Sequence, residues 1–423
     1  MRTILLISAS FGGGHDAVAR RMADHLGRLG YQTRQVDLVD LLPLRIGRAF
    51  RGAYRLQLGA VPNTWTWTSD WLERSGGFRA ASRVARLAAA RVARMVTPET
   101  VAVMSTYPMA SQLLGQMRAE GLLHLPVITV LTDLSVHRLW IADGVDAHIA
   151  QHEVAAEAAD RLGARNVAVC SPTLPDVFRP AEPGEQAVAR RRFGLPESVP
   201  LALIVTGSWG VGEFAQTAKD IAATGLATPV IACGRNESGR ARLAARGIGL
   251  PLGWVDDMPA LFHASDVVIQ SGGGCSVHEA LACGRPVLTY RCLPGHGRMN
   301  AAALHDAGWA PWIRTREELP AAVASALRAP VFVPEATGHV ARVIAEVTGL
   351  APIPASAPLA CVAHSELAAA PMIGRQPAMA PQPTLAPQPT LAPQPTLAAQ
   401  AAIAAQAAMA VQPVMAAQPL VAT

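Results

Sequence analysis

Residues 266–300 read DVVIQSGGGCSVHEALACGRPVLTYRCLPGHGRMN, and this stretch decides the fold. Val267, Val268 and Ile269 are a short apolar run of β-branched residues, which predicts a buried strand. Ser271-Gly272-Gly273-Gly274 follows at once. Glycines leave N–H groups unshielded and permit positive φ, so a ligand can approach the main chain closely. Ser276 with Glu279 three residues on reads as a capping box. The helix expected over about 278–282 points its positive end at the turn, where a phosphate would be stabilised. Gly284 stops that helix, Pro286 forbids its continuation, and 287–290 reads as the next parallel strand. A second glycine loop, 294–298, then brings His296 and Arg298 and leads to Asn300. One βαβ unit with tight turns accounts for much of this by packing alone. The capping box and a ligand contact also compete for one Glu279 carboxylate.

Working outward, the 423-residue length suits two domains and a tail, and 51% apolar residues suffice for two cores. The net charge of +5 is modestly basic and almost wholly arginine; Lys219 is the single lysine. The six cysteines contain no Cys-x-x-Cys pair, so neither a zinc site nor a disulfide framework follows. No run approaches the ~18 apolar residues of a membrane span, and the apolar start is too short for a signal peptide. A cytoplasmic protein is expected.

The chain opens with a strand over 3–9, the turn Ser10-Phe11-Gly12-Gly13-Gly14-His15-Asp16, a helix over about 17–29 and a strand over 32–37. The glycines are consecutive, not spaced G-x-G-x-x-G, and no Gly-Lys-Ser/Thr follows them. A Rossmann dehydrogenase and a P-loop ATPase are therefore disfavoured. His15 falls beyond the C-terminal end of a strand, where open α/β sheets bind ligands. A neutral imidazole there can take a proton from a hydroxyl. Local hydrogen bonding at a helix start is the simpler alternative.

Residues 45–96 carry ten arginines, with Trp65, Trp67 and Trp71 in their midst. A basic amphipathic helix is expected over 78–96, with Val84, Leu87, Val92 and Met95 toward one side. Such a region suits an anionic membrane surface, or is simply a solvated face of an arginine-rich chain. Nucleic acid is disfavoured, because no recognisable nucleic-acid module accompanies it. Further strands are expected over 101–106, 126–131 and 148–150, and Thr132-Asp133 ends the second of these. Asp133 either orients a base or a sugar hydroxyl or caps a helix. A linker over 173–180 leads to strands at 201–206 and 229–233, with Gly207-Ser208-Trp209-Gly210 after the first. Beyond 350 the APQPTL repeat precludes a core, so a disordered tail is expected. The domains are read as 1–178, 179–350 and a tail at 351–423.

Several separated motifs in this order resemble one family. SxxFGGGHxxxA at the start and TDxxxHxxWxxxGVD from Thr132 are similar to the diacylglycerol glycosyltransferases, the group containing the monogalactosyldiacylglycerol synthases. The 266–300 stretch and Gly253-Trp254-Val255-Asp256-Asp257-Met258 are similar to the donor site of two-domain GT-B glycosyltransferases. The resemblance covers about residues 1–350. It implies an α/β protein of two Rossmann-like domains facing across a cleft, and inverting transfer of galactose or glucose from a UDP-sugar to diacylglycerol or a related lipid. His15 would be the base and Asp133 its cleft partner. Glu279 would meet the ribose, and Val255 the uracil through its backbone. Gly207, Ser208, Gly210, Gly272, Gly273, Gly274 and Arg298 would hold the diphosphate and sugar, with Gly13, Gly14, His296 and Asn300 completing the site. The UDP-sugar would be a co-substrate; no other cofactor and no catalytic metal is expected, and the protein would sit peripherally on the inner face of the cell membrane. Two departures leave the sugar and acceptor open. Trp209 replaces a usually small residue, and Pro-Gly-His296-Gly297 stands where the family usually has Pro-Gly-Gln-Glu. Alternatives are an N-acetylglucosaminyltransferase acting on a lipid-linked peptidoglycan precursor, a UDP-sugar 2-epimerase of the same fold, and a non-catalytic binding protein.

Overall fold

The computed structural model describes residues 2–60, 75–171, 173–334 and 338–351. The tryptophans at 65, 67 and 71 and the APQPTL tail lie outside the described residues.

Two six-stranded sheets carry the fold, and every pairing in both is parallel. The first runs β2-β1-β3-β4-β5-β6: β1 (Thr3–Ser8), β2 (Gln32–Asp37), β3 (Thr100–Ser105), β4 (Val127–Val130), β5 (Ala147–Ala150) and β6 (Val167–Val169). The second runs β12-β11-β10-β7-β8-β9: β7 (Leu201–Val205), β8 (Thr228–Ala232), β9 (Leu250–Leu252), β10 (Val267–Gln270), β11 (Val287–Tyr290) and β12 (Trp312–Ile313). Both orders reverse once. The reversal lies between β1 and β3 in one sheet and between β7 and β10 in the other. A crevice opens outside the strand ends at such a reversal, and ligands bind there. The turns after β1, β7 and β10 are the three glycine turns of the sequence.

Each sheet is covered on both faces, as parallel sheets require. Ile4, Leu6, Met104 and Ile128 pack on one face of the first sheet, and Leu5, Ile7 and Val103 on the other. The closing helix Val340–Thr348 returns to the first sheet, where Val340, Val343 and Ile344 join that core.

Helix α1 (Gly14–Arg28) starts three residues earlier than expected, so His15 lies in its first turn. A short helix α2 (Leu38–Leu41) and α3 (Ile46–Ala60) follow β2. The single helix expected over 78–96 is two, Ser75–Arg86 and Ala89–Ala93. Ala85, Ala88 and Val92 are buried in the core against the first sheet, and Val84 and Met95 pack against it as expected; Leu87, between the two helices, departs and is half exposed. The second glycine loop is likewise shorter than expected. Gly295, at φ +66°, forces the turn, and a helix begins at His296 and runs to Asp306.

Candidate active site

The chemistry gathers where the β1–β3 crevice faces the β7–β10 crevice. β1 delivers His15 through the glycine turn, β3 delivers Tyr107, and β4 delivers Thr132 and Asp133. His296 and Asn300 come from the second sheet's side.

The His15 ring is fixed by its Nδ1, which lies 3.0 Å from the Thr106 carbonyl and 2.9 Å from Thr132 Oγ1. A carbonyl only accepts, so Nδ1 carries the proton and Nε2 carries the lone pair. Tyr107 meets the ring edge-on at 5.0 Å between centroids, and Trp140 stands 6.0 Å away. Burial holds the imidazole below its ordinary pKa of 6.5, against the opposing pull of Asp133. A neutral His15 at physiological pH follows.

Asp133 is the charge at the centre. Its Oδ2 lies 3.3 Å from His296 Nε2, and it faces His15 and His137 as well. Burial alone would raise its carboxyl. The charge and hydrogen bond of His296, with the other two imidazoles, instead hold it well below the usual carboxylate range. Burial pushes His137 down to about 3, and the nearby His296 adds to this. Its Nδ1 is buried with no hydrogen-bond partner. Tyr54 of α3 is pushed up to about 12 by burial and by the Asp133 charge.

The glycine turns touch across the cleft. A Cβ on Gly13 would fall 3.1 Å from Ser208 Oγ, and one on Gly14 3.6 Å from Cys275 Sγ. Gly274 packs in the same way on the Thr132 carbonyl and Asp133. Gly272, at φ +114°, lies so close to the Gly297 backbone that no side chain fits at that position. A Cβ on Gly297 would itself meet Leu293 at 2.9 Å. A side chain at 297, where the resembling family usually has an acid, would crowd Leu293 and the Ser271 carbonyl. Gly207 (φ +70°) is open, whereas Gly210 (φ +61°) is pressed on the Cys233 carbonyl and on Asn236.

Four residues expected to face a nucleotide have other partners. Gln270 Oε1 accepts from the N–H groups of both Gly272 and Gly273, so of the three glycines only Gly274, the N-cap of the Cys275–Ala282 helix, is clear of it. Asn300 is fully buried. Its Oδ1 accepts from Leu134 N (3.2 Å) and Ser135 N (3.3 Å), and its Nδ2 donates to the Gly272 carbonyl (3.0 Å). It clamps the two sides of the cleft together. Glu279 makes no capping box; no side chain caps its helix. Its carboxylate instead pairs across the cleft with Arg21 of α1, whose guanidinium also lies 5.4 Å over the Phe178 ring in the linker. Burial raises the Glu279 carboxyl, and Arg21 opposes this. Arg298 is exposed on its helix, away from the imidazoles. Val255 packs against the core of the second sheet beside the exposed Trp254, over which Arg235 lies at 4.0 Å.

Arg21, Tyr54, Thr132 and Tyr107 were not singled out from the sequence as site residues. Arg21 and Glu279 are 258 positions apart, and nothing local in either segment signals the other. Tyr107 and Thr132 had a signal, since each directly follows an expected strand end.

Two reversed-order parallel sheets with glycine turns facing across one cleft define the class of fold: two Rossmann-like sheets in the GT-B arrangement. Within that class the chain resembles the monogalactosyldiacylglycerol synthase and diacylglycerol glucosyltransferase family. Residues 15–170 match the family model described as monogalactosyldiacylglycerol (MGDG) synthase. The processive diacylglycerol beta-glucosyltransferase of Bacillus subtilis (strain 168) is 25% identical over 349 residues, covering 77% of this chain and 87% of that protein. The chloroplastic monogalactosyldiacylglycerol synthase 1 of Arabidopsis thaliana is 23% identical over 346 residues, 76% of this chain and 64% of that protein. Among solved structures, MurG of Acinetobacter baumannii aligns at TM-score 0.48 and 15% identity, covering 83% of this chain and all of that one. Anabaena Alr3699/HepE in complex with UDP and glucose aligns at TM-score 0.49 and 15% identity, covering 78% and 90%.

Proposed function

We propose that the chain transfers a hexose, galactose or glucose, from a UDP-sugar to the free hydroxyl of diacylglycerol with inversion at the anomeric carbon. The observation that carries the reading is the His15 tautomer: Nδ1–H is held by the Thr106 carbonyl, which leaves Nε2 as a neutral base. In the proposed step the acceptor hydroxyl gives its proton to Nε2 and its oxygen attacks the anomeric carbon. The bond from that carbon to UDP breaks on the opposite face, and its electron pair leaves on the diphosphate. Asp133 stabilises the imidazolium that forms. Gly274, the start of the Cys275–Ala282 helix and the Gly207–Gly210 turn face the diphosphate with backbone dipoles, and no metal takes part. Glu279 receives the ribose hydroxyls in exchange for Arg21. The named activities of the matched relatives support the choice of lipid acceptor.

The proposed boundary between the domains stays near 178, with the closing helix crossing back. No helix among the described residues is long and apolar enough to cross a membrane. Peripheral docking at the inner face of the cell membrane is proposed through the arginine-rich 45–96 region. There α3 and the turn before it expose Leu44, Phe50 and Leu56 beside Arg45, Arg48 and Arg55.

The test is UDP release by the purified protein with a panel of UDP-hexoses, with and without diacylglycerol in anionic vesicles. Lipid-dependent release from one UDP-hexose that His15→Ala abolishes, while UDP still binds, is the expected result. UDP-sugar binding with no lipid-dependent release would overturn the choice of acceptor. No binding of any UDP-sugar would overturn the reading as a whole.

A further inference from the structure

Gln270 ends β10, is 3% exposed, and has no role in the proposed reaction. Its Oε1 accepts from Gly272 N and from Gly273 N, the latter at 2.8 Å. Its Nε2 donates to Thr289 Oγ1 at 2.5 Å. Thr289 is the register partner of Gln270 on β11 and is fully buried. An oxygen must face the two N–H donors, so the amide has one orientation. Successive backbone N–H groups that converge on one point make an anion-binding nest. Here the occupant is an uncharged oxygen of the chain itself.

The turn is held from its other side as well. The peptide unit between Ser271 and Gly272 has its N–H on Gln270 and its carbonyl on Leu293 N, at 2.8 Å. The next unit has its N–H on Gln270 and its carbonyl on Asn300 Nδ2, at 3.0 Å. Both units are thus satisfied at both ends, and neither can rotate toward a ligand without losing two bonds. Asn300 Oδ1 in turn accepts from Leu134 N and Ser135 N, directly beyond Asp133. The next residues are different. No side chain caps the Cys275–Ala282 helix, so the N–H groups of its first turn are left for an anion. A Cβ on Gly274, at the head of that helix, would lie 3.1 Å from the Thr132 carbonyl, so this end of the turn adjoins the imidazole cluster.

We propose that Gln270 is a positioning residue of the donor site: by filling the first two N–H groups of the glycine turn, it confines the diphosphate of a sugar nucleotide to Gly274 and the helix end behind it. The leaving group is then held beside Asp133. Without Gln270 the diphosphate would also reach the Gly272 and Gly273 N–H groups, and the anomeric carbon would lose its line to the acceptor oxygen. The inference rests on the donor-site reading of this turn.

The experiment compares UDP and uridine binding by calorimetry, and lipid-dependent UDP release, for the wild type, Gln270→Glu and Gln270→Ala. A glutamate keeps an oxygen for both N–H groups, and a carboxylate so bonded stays ionised. Its unfolding midpoint should stay close to that of the wild type. Its charge should weaken UDP binding by about tenfold or more and leave uridine within about twofold. Gln270→Ala frees both N–H groups. It should bind UDP no more than about threefold worse than the wild type and lower kcat by about tenfold or more. Either variant decides the matter if the other does not fold. Wild-type UDP affinity in Gln270→Glu, or equal losses for UDP and uridine, overturns the placement of the diphosphate beside residue 270. In Gln270→Ala, UDP affinity lost in proportion to turnover makes Gln270 a strut and nothing more. Tighter UDP binding with undiminished turnover shows instead that the diphosphate displaces the amide. Either result overturns the confinement. Failure of the donor-site reading looks different: the wild type then binds no UDP, and the inference falls with it.

Discussion

At the reversal of the first sheet, between β1 and β3, the cleft is walled by side chains: His15, Tyr107, Asp133 and the aromatic Phe11 and Tyr54. At the reversal of the second, between β7 and β10, it is walled mostly by backbone, in the turns around Gly207–Gly210 and Gly272–Gly274. The same topology is put to two uses. Side chains with a held tautomer suit proton transfer to a chosen atom. A helix end and the turn N–H groups that Gln270 leaves clear suit a diphosphate, whose charge is spread over many oxygens. Three second-sheet side chains cross this contrast: His296 pairs with Asp133, Glu279 with Arg21, and Asn300 with the Leu134 and Ser135 N–H groups.

The sharpest way to break this contrast is Asp133→Asn. The substitution preserves shape but removes the charge that three imidazoles share. Turnover in the UDP-release assay should fall about a hundredfold or more, with UDP affinity little changed. Parallel losses of both would show that Asp133 belongs to the donor side. Next is Gly272→Ala. With φ at +114° and the Gly297 backbone against it, this change should cost about 1–3 kcal/mol in denaturant unfolding. Gly273→Ala, where a Cβ meets nothing within 4 Å, should leave stability nearly unchanged. Equal stability of the two variants would mean that the turn is not packed as described.

A smaller effect separates the two partners of one ion pair. Glu279→Gln should weaken UDP binding by about tenfold in calorimetry, and Arg21→Gln by no more than about threefold. Equal losses would make the pair a strut between the two sides and Glu279 no nucleotide contact. The remaining effect is in acid. Burial pushes both His137 and His278 to about 3 in the folded protein, against an ordinary 6.5. Between those values the unfolded chain binds protons that the folded one does not, so stability rises with pH. It should therefore fall as pH drops below about 6.5, by up to about 1.4 kcal/mol per pH unit for each imidazole. Unfolding midpoints between pH 7 and 5 check this, and His137→Gln should flatten the slope.

Nine of the twelve strands were legible, and 287–290 was read to the residue; the strands at 167–169, 250–252 and 312–313 are only two or three residues long and were not read. Less legible were features decided by contacts. Glu279 sits three residues after a serine, the local signature of a capping box, yet a buried guanidinium from α1 outcompetes the weak pull of local N–H groups. Gly272 and Gly273 read as free donors, yet Gln270, the last residue of β10, folds back onto both. The expected 78–96 helix is interrupted at residues 87 and 88, and Leu87 alone of its expected apolar side is half exposed.

The sequence by itself determined the short strands, the three glycine turns beyond them and the presence of His15 at one of these turns, which follow from local pattern and from the conformations glycine permits; the pair of facing sheets was implied by the family resemblance. Only the tertiary structure decided which nitrogen of His15 is free, that Asp133 is shared by three imidazoles and that Asn300 is a clamp. Those depend mostly on groups far apart in the chain, 91 positions for His15 and Thr106 and 166 for Leu134 and Asn300, brought within a few ångströms, where burial and charge act through space and leave no trace in local pattern.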